Sequence, residues 1–264
     1  MKLINVSDLR AADIVKLWTM VDLLDPTLMP VKIACSFEGN GVRTRTSFLQ
    51  AIGELGASFI ELPNLLKTAE APQDLTGYLD NFYDGYVVRE SDHEKLRSFA
   101  QASSKPVINA MSGMSHPCEV LTDAYFIDRH VMSIEDATVC LWGRPTNIFR
   151  AWHELAAVLP MKLVHVCDAE FHTLSTANVR YTDELDFRAD VLVTDSTHDS
   201  IWQSLTESDL QRMGNPRLIV TPPFIVGREI HFHPTAYSGF VGYEQKKLLL
   251  PVQKAILRMC LQDT

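Results

Sequence analysis

The chain has 264 residues, 46% of them hydrophobic and 22% charged, a balance that fits a globular protein and excludes a disordered or fibrous one. At roughly 150 residues per domain, this length suits one large domain or two small ones. Lys+Arg number 24 against 33 Asp+Glu, for a net charge of −9, so neither nucleic acid nor an anionic membrane is an expected partner. A local cationic cluster can still serve a small anion.

No apolar run approaches the ~20 residues needed to cross a bilayer. The opening MKLINVSDLR lacks the apolar stretch of a secretory signal. The cysteines (Cys35, Cys118, Cys140, Cys167, Cys260) are odd in number and lack CxxC spacing, so neither a disulfide framework nor a zinc site is indicated. They read as small hydrophobes in a cytoplasmic protein.

Near the start, Ser7 is placed to cap a helix with an apolar face of Ile14, Val15, Trp18 and Val21. Short apolar runs then recur, each followed by a polar turn and an amphipathic segment. They are KIACSF (32–37), ASFIEL (57–62), GYVVRE (85–90) and KPVINAM (105–111). After Asp136 come ATVCLWG (137–143), KLVHVCD (162–168), ADVLVTD (189–195) and RLIVTPP (217–223). This alternation predicts an α/β fold of two doubly wound, parallel-sheet domains with an active-site cleft between them. The segment from Tyr243 to Leu261 predicts a last helix, kinked or restarted at Pro251.

Ligands of open parallel sheets bind beyond the carboxyl ends of the strands. After the first run, EGNGVRTRTSF places Arg43, Thr44 and Arg45 at a helix opening, where N–H groups and the helix dipole suit a phosphate. The third run ends in Arg89, and the fourth leads to His116-Pro117-Cys118-Glu119. Cys118 reads as packing rather than as a nucleophile. In the second half, Asn147 lies in a strand-to-helix turn, Asp195 ends a strand, and Thr221-Pro222-Pro223 end the last run. Taken singly these are ordinary caps and turns. His231 and His233 stand two apart without a third ligand and read as surface residues. GxGxxG, GxxxxGK[ST] and GxSxG are absent, which weakens dinucleotide, P-loop and serine-hydrolase readings.

These segments resemble the aspartate/ornithine carbamoyltransferase family. FEGNGVRTRTSFLQAIGELGASFIEL is similar to the family's FE-x-x-STRTR-x-SF stretch, and HPCEVLTD to its HPCQ-x-LAD. ADVLVTD is similar to the ADV-x-x-TD of the ornithine branch, and VGYEQKKLLLPVQKAIL to the closing helix. The resemblance implies a carbamoyl-phosphate-binding domain over residues 1–130, completed by a C-terminal helix over 241–264, and an acceptor domain over 131–240. It implies that Gly41, Val42, Arg43 and Thr44 hold the phosphate of carbamoyl phosphate. Arg89 then bridges phosphate and carbonyl oxygen, His116 donates to that oxygen, and Glu119 faces the carbamoyl NH2. Thr221 and Pro222 supply carbonyls to the same NH2, and Asn147 and Asp195 hold an amino-acid-like amine. Lys67 is the residue a neighbouring subunit of a homotrimer would contribute. Neither metal nor organic cofactor is implied.

The chain also departs from the family's pattern. Gly41 and Val42 replace Ser and Thr of STRTR, Glu119 replaces Gln, and Leu249 replaces an arginine of the closing helix. STHDS follows Asp195 where the ornithine branch has SMG, which points to an acceptor other than ornithine; the aspartate branch's arginine is missing as well. Loops 63–74 and 168–188 are short, the second too short for a full crossover helix. Two main readings follow. One is a carbamoyltransferase acting on an amino-acid-like amine. The other is an inactive relative that binds a metabolite or serves as a partner subunit. A different transfer from a modified carbamoyl donor is a third.

Overall fold

The computed structural model describes residues 1–23, 27–174, 178–195 and 202–262. The chain divides into two compact units: Met1–Thr122 with Leu248–Thr264, and Asp123–Lys247.

The first unit is built on four parallel strands: β1 (Lys32–Phe37), β2 (Ser58–Glu61), β3 (Gly85–Glu90) and β4 (Val107–Ser112), in the order β2-β1-β3-β4. The central strands are apolar on both faces because both faces are covered, whereas the edge strand β2 keeps Phe59 and Ile60 exposed. Helices α1 (Ala11–Leu23), α2 (Val42–Glu54), α3 (Pro72–Leu79), α4 (His93–Ala102) and α5 (Pro117–Phe126) supply the layers. On one face Leu65, Leu66, Leu96 and Phe99 pack against Tyr86 and Val88.

The predicted first helix exists but starts later than expected. Ser7 lies within a short 3-10 turn, Val6–Asp8, and caps nothing. The Asp8 carboxylate takes the N–H groups of Ile4 and Asn5 (2.7 and 2.8 Å), and the Asp13 carboxylate that of Arg10 (3.0 Å). Val15 is exposed and Leu17 is buried in its stead, so the apolar stripe runs Ile14, Leu17, Trp18, Val21.

The second unit carries five parallel strands: β5 (Thr138–Trp142), β6 (Lys162–Val166), β7 (Val179–Thr182), β8 (Val191–Asp195) and β9 (Arg217–Thr221), in the order β7-β6-β5-β8-β9. Helix α6 (Asn147–Val158) follows β5, and the six-residue α7 (Glu207–Arg212) joins β8 to β9. As expected from the short 168–188 segment, the described residues between β6 and β7 hold a 3-10 turn, Ala169–Leu174, and no full helix. The closing segment restarts, as α8 (Gly242–Lys246) and then α9 (Leu249–Leu261). Pro251 sits in the first turn of α9, where its missing N–H costs nothing. Helix α9 packs on α1 and α2 of the first unit.

One polar feature interrupts the apolar face of the second sheet. His165 of β6 is fully buried, flanked in register by Leu141 and Tyr181. Its Nε2 is 2.7 Å from the carbonyl of Gly143, and its Nδ1 is 2.9 Å from Nε2 of His153 on α6. A carbonyl only accepts, so His165 carries its proton on Nε2, its Nδ1 accepts, and His153 donates from Nε2. Burial is the main cause that pushes His165 down to about 3 and His153 down to about 4, helped by mutual repulsion and by Arg150 respectively. Both therefore stay neutral in the folded protein while unfolded chains take up protons near pH 6.5. Stability falls as pH drops below 6.5, by about 2 kcal/mol per histidine between pH 7 and 5. Urea unfolding at the two pH values reads this loss, and His165→Asn flattens it.

Candidate active site

Each sheet has a point where successive connections leave in opposite directions, and there the loops at the carboxyl edge part to leave a crevice. In the first unit that point lies between β1 and β3, in the second between β5 and β8.

At the first of these edges, Phe37 pairs with Arg89, and Arg89 with Met111, so three strand ends stand in register. The loops beyond them are tied together. The Glu38 carboxylate accepts from the Ser91 N–H at 2.5 Å, and the Ser91 carbonyl accepts from the Gly113 N–H at 3.0 Å. Gly113 is required there, because a Cβ would lie 2.6 Å from that Ser91 oxygen. A buried knot supports the last loop. Asn109 Nδ2 donates to the carbonyls of Ile4 and Ser115 and to Ser112 Oγ, at 2.8, 3.2 and 3.2 Å. Ser112 Oγ also accepts from the Ser115 N–H and faces His93 Nδ1. His116 leaves this turn half-buried, one residue before α5, and Glu119 lies buried in the first turn of that helix.

Arg89, the penultimate residue of β3, is half-buried, and its guanidinium donates to the buried hydroxyl of Thr44 at 3.0 Å. Burial lowers its pKa from the ordinary value; Glu38 opposes that shift and Arg43 adds to it. Two guanidinium groups thus repel each other at the opening of α2. No side chain caps this helix start. The free N–H groups of this helix start, the Thr44 hydroxyl and the Arg89 guanidinium thus come together at this strand edge.

Gly41 has φ +43°, the left-handed region that disfavours side chains, and a Cβ there would touch Phe37 and Arg89 at 3.4 and 3.5 Å. The hydroxyl expected at this position is absent for a backbone reason. Lys67, exposed at the end of a 3-10 turn (Leu65–Lys67), meets Glu38 at 2.9 Å and Glu90 at 2.5 Å of its own chain. Leu249 opens α9 and is half-buried. Burial pushes the Cys118 thiol up, so it packs as a neutral group.

At the second edge, Asn147 is the first residue of α6, and its Oδ1 accepts from the Ile148 N–H at 2.9 Å. Thr146 caps the helix by accepting from the Phe149 N–H. Asp195 ends β8 and pairs with Thr221 at the end of β9; Thr221 is buried and Pro222 half-buried. Asn147 and Asp195 therefore flank the β5/β8 opening. In the loop after β5, Arg144 pairs with Asp168 side-on, Nε and Nη2 donating to the two carboxylate oxygens at 2.7 and 3.2 Å. The STHDS segment (196–200) lies outside the described residues. His231 and His233 are exposed, as expected of surface residues, and among the described residues no cluster of His, Cys, Asp and Glu could hold a metal.

A sequence profile described as aspartate/ornithine carbamoyltransferase, carbamoyl-P binding domain, matches residues 2–129. The ornithine carbamoyltransferase of Methanopyrus kandleri is 29% identical over 275 aligned positions, covering 89% of this chain and 85% of that protein. The chain belongs to the aspartate/ornithine carbamoyltransferase family. The ornithine carbamoyltransferase of Chlorobaculum tepidum is 30% identical over 193 residues, 67% of this chain but only 56% of that relative's length. The family fold is shared throughout. The ornithine carbamoyltransferase structure from Pyrococcus furiosus superposes with a TM-score of 0.90 at 20% identity, over 100% of this chain and 97% of the other. The anabolic enzyme from Campylobacter jejuni gives 0.88 at 24%, over 100% of both.

Within the family frame, Glu38, Glu90 and Ser91 are the site-edge residues that sequence reasoning missed. The signal was present in part. Glu38 stands beside a basic helix start, an acidic residue with no evident use until the fold brings Lys67 and Ser91 to it.

Proposed function

We propose that the protein transfers the carbamoyl group of carbamoyl phosphate to an amine of an amino acid and releases phosphate. The observation that carries this reading is the strand-end cluster of Arg43, Thr44 and Arg89 at the uncapped start of α2, in a domain of the family's carbamoyl-phosphate type. Arg43, Thr44 and the first N–H groups of α2, with Gly41 and Val42 lending backbone, would bind the phosphate. Arg89 would span phosphate and carbonyl oxygen, and His116 would donate to that oxygen. Glu119, with the carbonyls of Thr221 and Pro222, would receive the carbamoyl NH2. An uncharged amine attacks the carbonyl carbon, negative charge gathers on the oxygen, and the bond to phosphate breaks. Catalysis of this kind is positioning plus fixed charge.

For the acceptor, Asn147 and Asp195 suit an α-amino acid bearing an ammonium group, and the names of the relatives favour ornithine. That choice replaces the expectation of a different amine drawn from the STHDS segment. The presence of Arg43, Arg89 and His116 favours an active enzyme over a silent partner subunit. The buried cysteines form no disulfide, which suits a reducing compartment, and we propose a cytoplasmic location. Among the described residues no helix is long and apolar enough to cross a membrane. A homotrimer remains part of the proposal, with sedimentation as its check.

The test is phosphate release from carbamoyl phosphate in the presence of ornithine, lysine, putrescine or aspartate. Ornithine-dependent release with citrulline as product supports the reading. Release with none of the four would leave the non-catalytic alternative.

A further inference from the structure

The imidazole of His165 is bonded to both flanks of the segment that carries Asn147. That segment is the turn after β5, which runs from Gly143 into α6 and has Asn147 as the first residue of the helix. Gly143 is tied twice to the neighbouring β6: its N–H donates to the Val166 carbonyl at 3.0 Å, and its carbonyl accepts from His165 Nε2 at 2.7 Å. Gly143 has φ +125°, a conformation closed to most side chains, so no Cβ helps to fix the direction of that carbonyl. The hydrogen bonds must do so. On the other side of the ring, His165 Nδ1 accepts from Nε2 of His153, which stands on α6 itself, at 2.9 Å. The Tyr181 hydroxyl of β7 extends the chain, donating to His153 Nδ1 at 3.4 Å. Three donors therefore point one way, from Tyr181 through His153 and His165 to the backbone of the turn. Phe149 edge-on at 5.2 Å and Tyr181 stacked at 5.1 Å between ring centres keep the imidazole in that orientation.

Packing alone does not call for this residue. Strand β6 reads KLVHV, and an apolar side chain at position 165 would bury without the desolvation cost of an imidazole. What the imidazole adds is a pair of directed hydrogen bonds, one to the turn before α6 and one to the helix. Arg144 and Asp168 also tie this turn to the loop after β6, but from a more exposed position, where water weakens an ion pair. We propose that His165 is a positioning residue for the acceptor: by bridging the Gly143 carbonyl and His153 it fixes the turn that presents Asn147, and so sets affinity for the amino-acid substrate. This inference rests on the functional reading above.

Steady-state kinetics test it, with L-ornithine varied at saturating carbamoyl phosphate and then the reverse. His165→Leu is expected to raise KM for ornithine about 10- to 30-fold, with kcat changed less than about threefold and KM for carbamoyl phosphate less than about twofold. A general loss of folded enzyme would lower kcat and leave both KM values alone. His165→Gln, whose amide N–H can stand in for Nε2–H, recovers most of the ornithine affinity. His153→Leu acts in the same direction but less, because it frees His165 to move its proton from Nε2 to Nδ1. The two histidines form one chain, so the double variant His153→Leu with His165→Leu is no worse than His165→Leu alone. If His165→Leu folds poorly, His153→Leu at its half-buried position and His165→Gln carry the same comparison.

An ornithine KM within twofold of wild type in His165→Leu would overturn the inference and leave the turn to the Arg144–Asp168 pair. Equal increases in both KM values, or effects of the two histidines that multiply, would overturn it as well. In each of these cases wild-type turnover leaves the functional reading intact. Wild-type protein that releases no phosphate with ornithine would remove both.

Discussion

Arg89→Met lowers kcat/KM for carbamoyl phosphate by a factor of about 100 to 1,000, which corresponds to about 3 kcal/mol of lost transition-state stabilisation. The size follows from the position of the guanidinium. It stands half-buried near the end of β3, held by the Thr44 hydroxyl at 3.0 Å, so its orientation is set before any ligand arrives. Fixed charge in a partly dry site costs no reorganisation as negative charge grows on the carbonyl oxygen. Arg89→Lys rescues little, because a lysine is a point charge that cannot span phosphate and carbonyl together. Thr44→Val, which removes only the hydroxyl that orients the guanidinium, has a smaller effect of the same kind. Initial rates of phosphate release over a range of carbamoyl phosphate concentrations measure all three. An Arg89→Met enzyme within fivefold of wild type would show that this strand end is not where the dianion sits.

Asn109→Leu destabilises the chain by about 2–4 kcal/mol and disturbs His116 as well. Asn109 is fully buried, and its amide N–H2 serves two backbone carbonyls and the Ser112 hydroxyl. Leucine leaves those acceptors buried without their donor, at about 1–3 kcal/mol for each one that cannot re-pair. The carbonyl of Ser115, immediately before His116, is one of them. Loss of that hydrogen bond loosens the turn that presents the imidazole. Urea unfolding is expected to show a lower midpoint with an unchanged slope, and residual kcat at permissive temperature is expected to fall at least tenfold. A midpoint unaltered within error would mean that this knot contributes nothing to holding the loop.

The sequence made much of this legible where the information is local. Apolar runs buried on both faces identify β1, β3, β5 and β8 without ambiguity, and the rule that ligands gather at carboxyl strand ends led to Arg43, Arg89 and His116. Strand β7 escaped because VRYT is four residues long, carries an arginine and sits at a sheet edge, so it has neither length nor apolar character to announce it. Ser7 misled because the Asp13 carboxylate accepts from the Arg10 N–H that a cap at Ser7 would have served, and the helix starts only at Ala11. The remaining gaps are contacts between distant residues. Nothing in the local sequence of Lys67 reveals two carboxylates 29 and 23 positions away. His165 lies in an apolar strand pattern that betrays neither His153 nor the Gly143 carbonyl. Gly41 is the opposite case: it looked like a lost hydroxyl, and its positive φ explains why glycine stands there.

The most direct measurement is isothermal titration of the intact wild-type chain with freshly prepared carbamoyl phosphate, repeated with Arg89→Met and Arg43→Ala. The account predicts saturable binding at one site per chain, weakened at least tenfold in each variant and competed by inorganic phosphate. Wild-type protein that gives no saturable heat, or variants that bind as tightly as wild type, would contradict it.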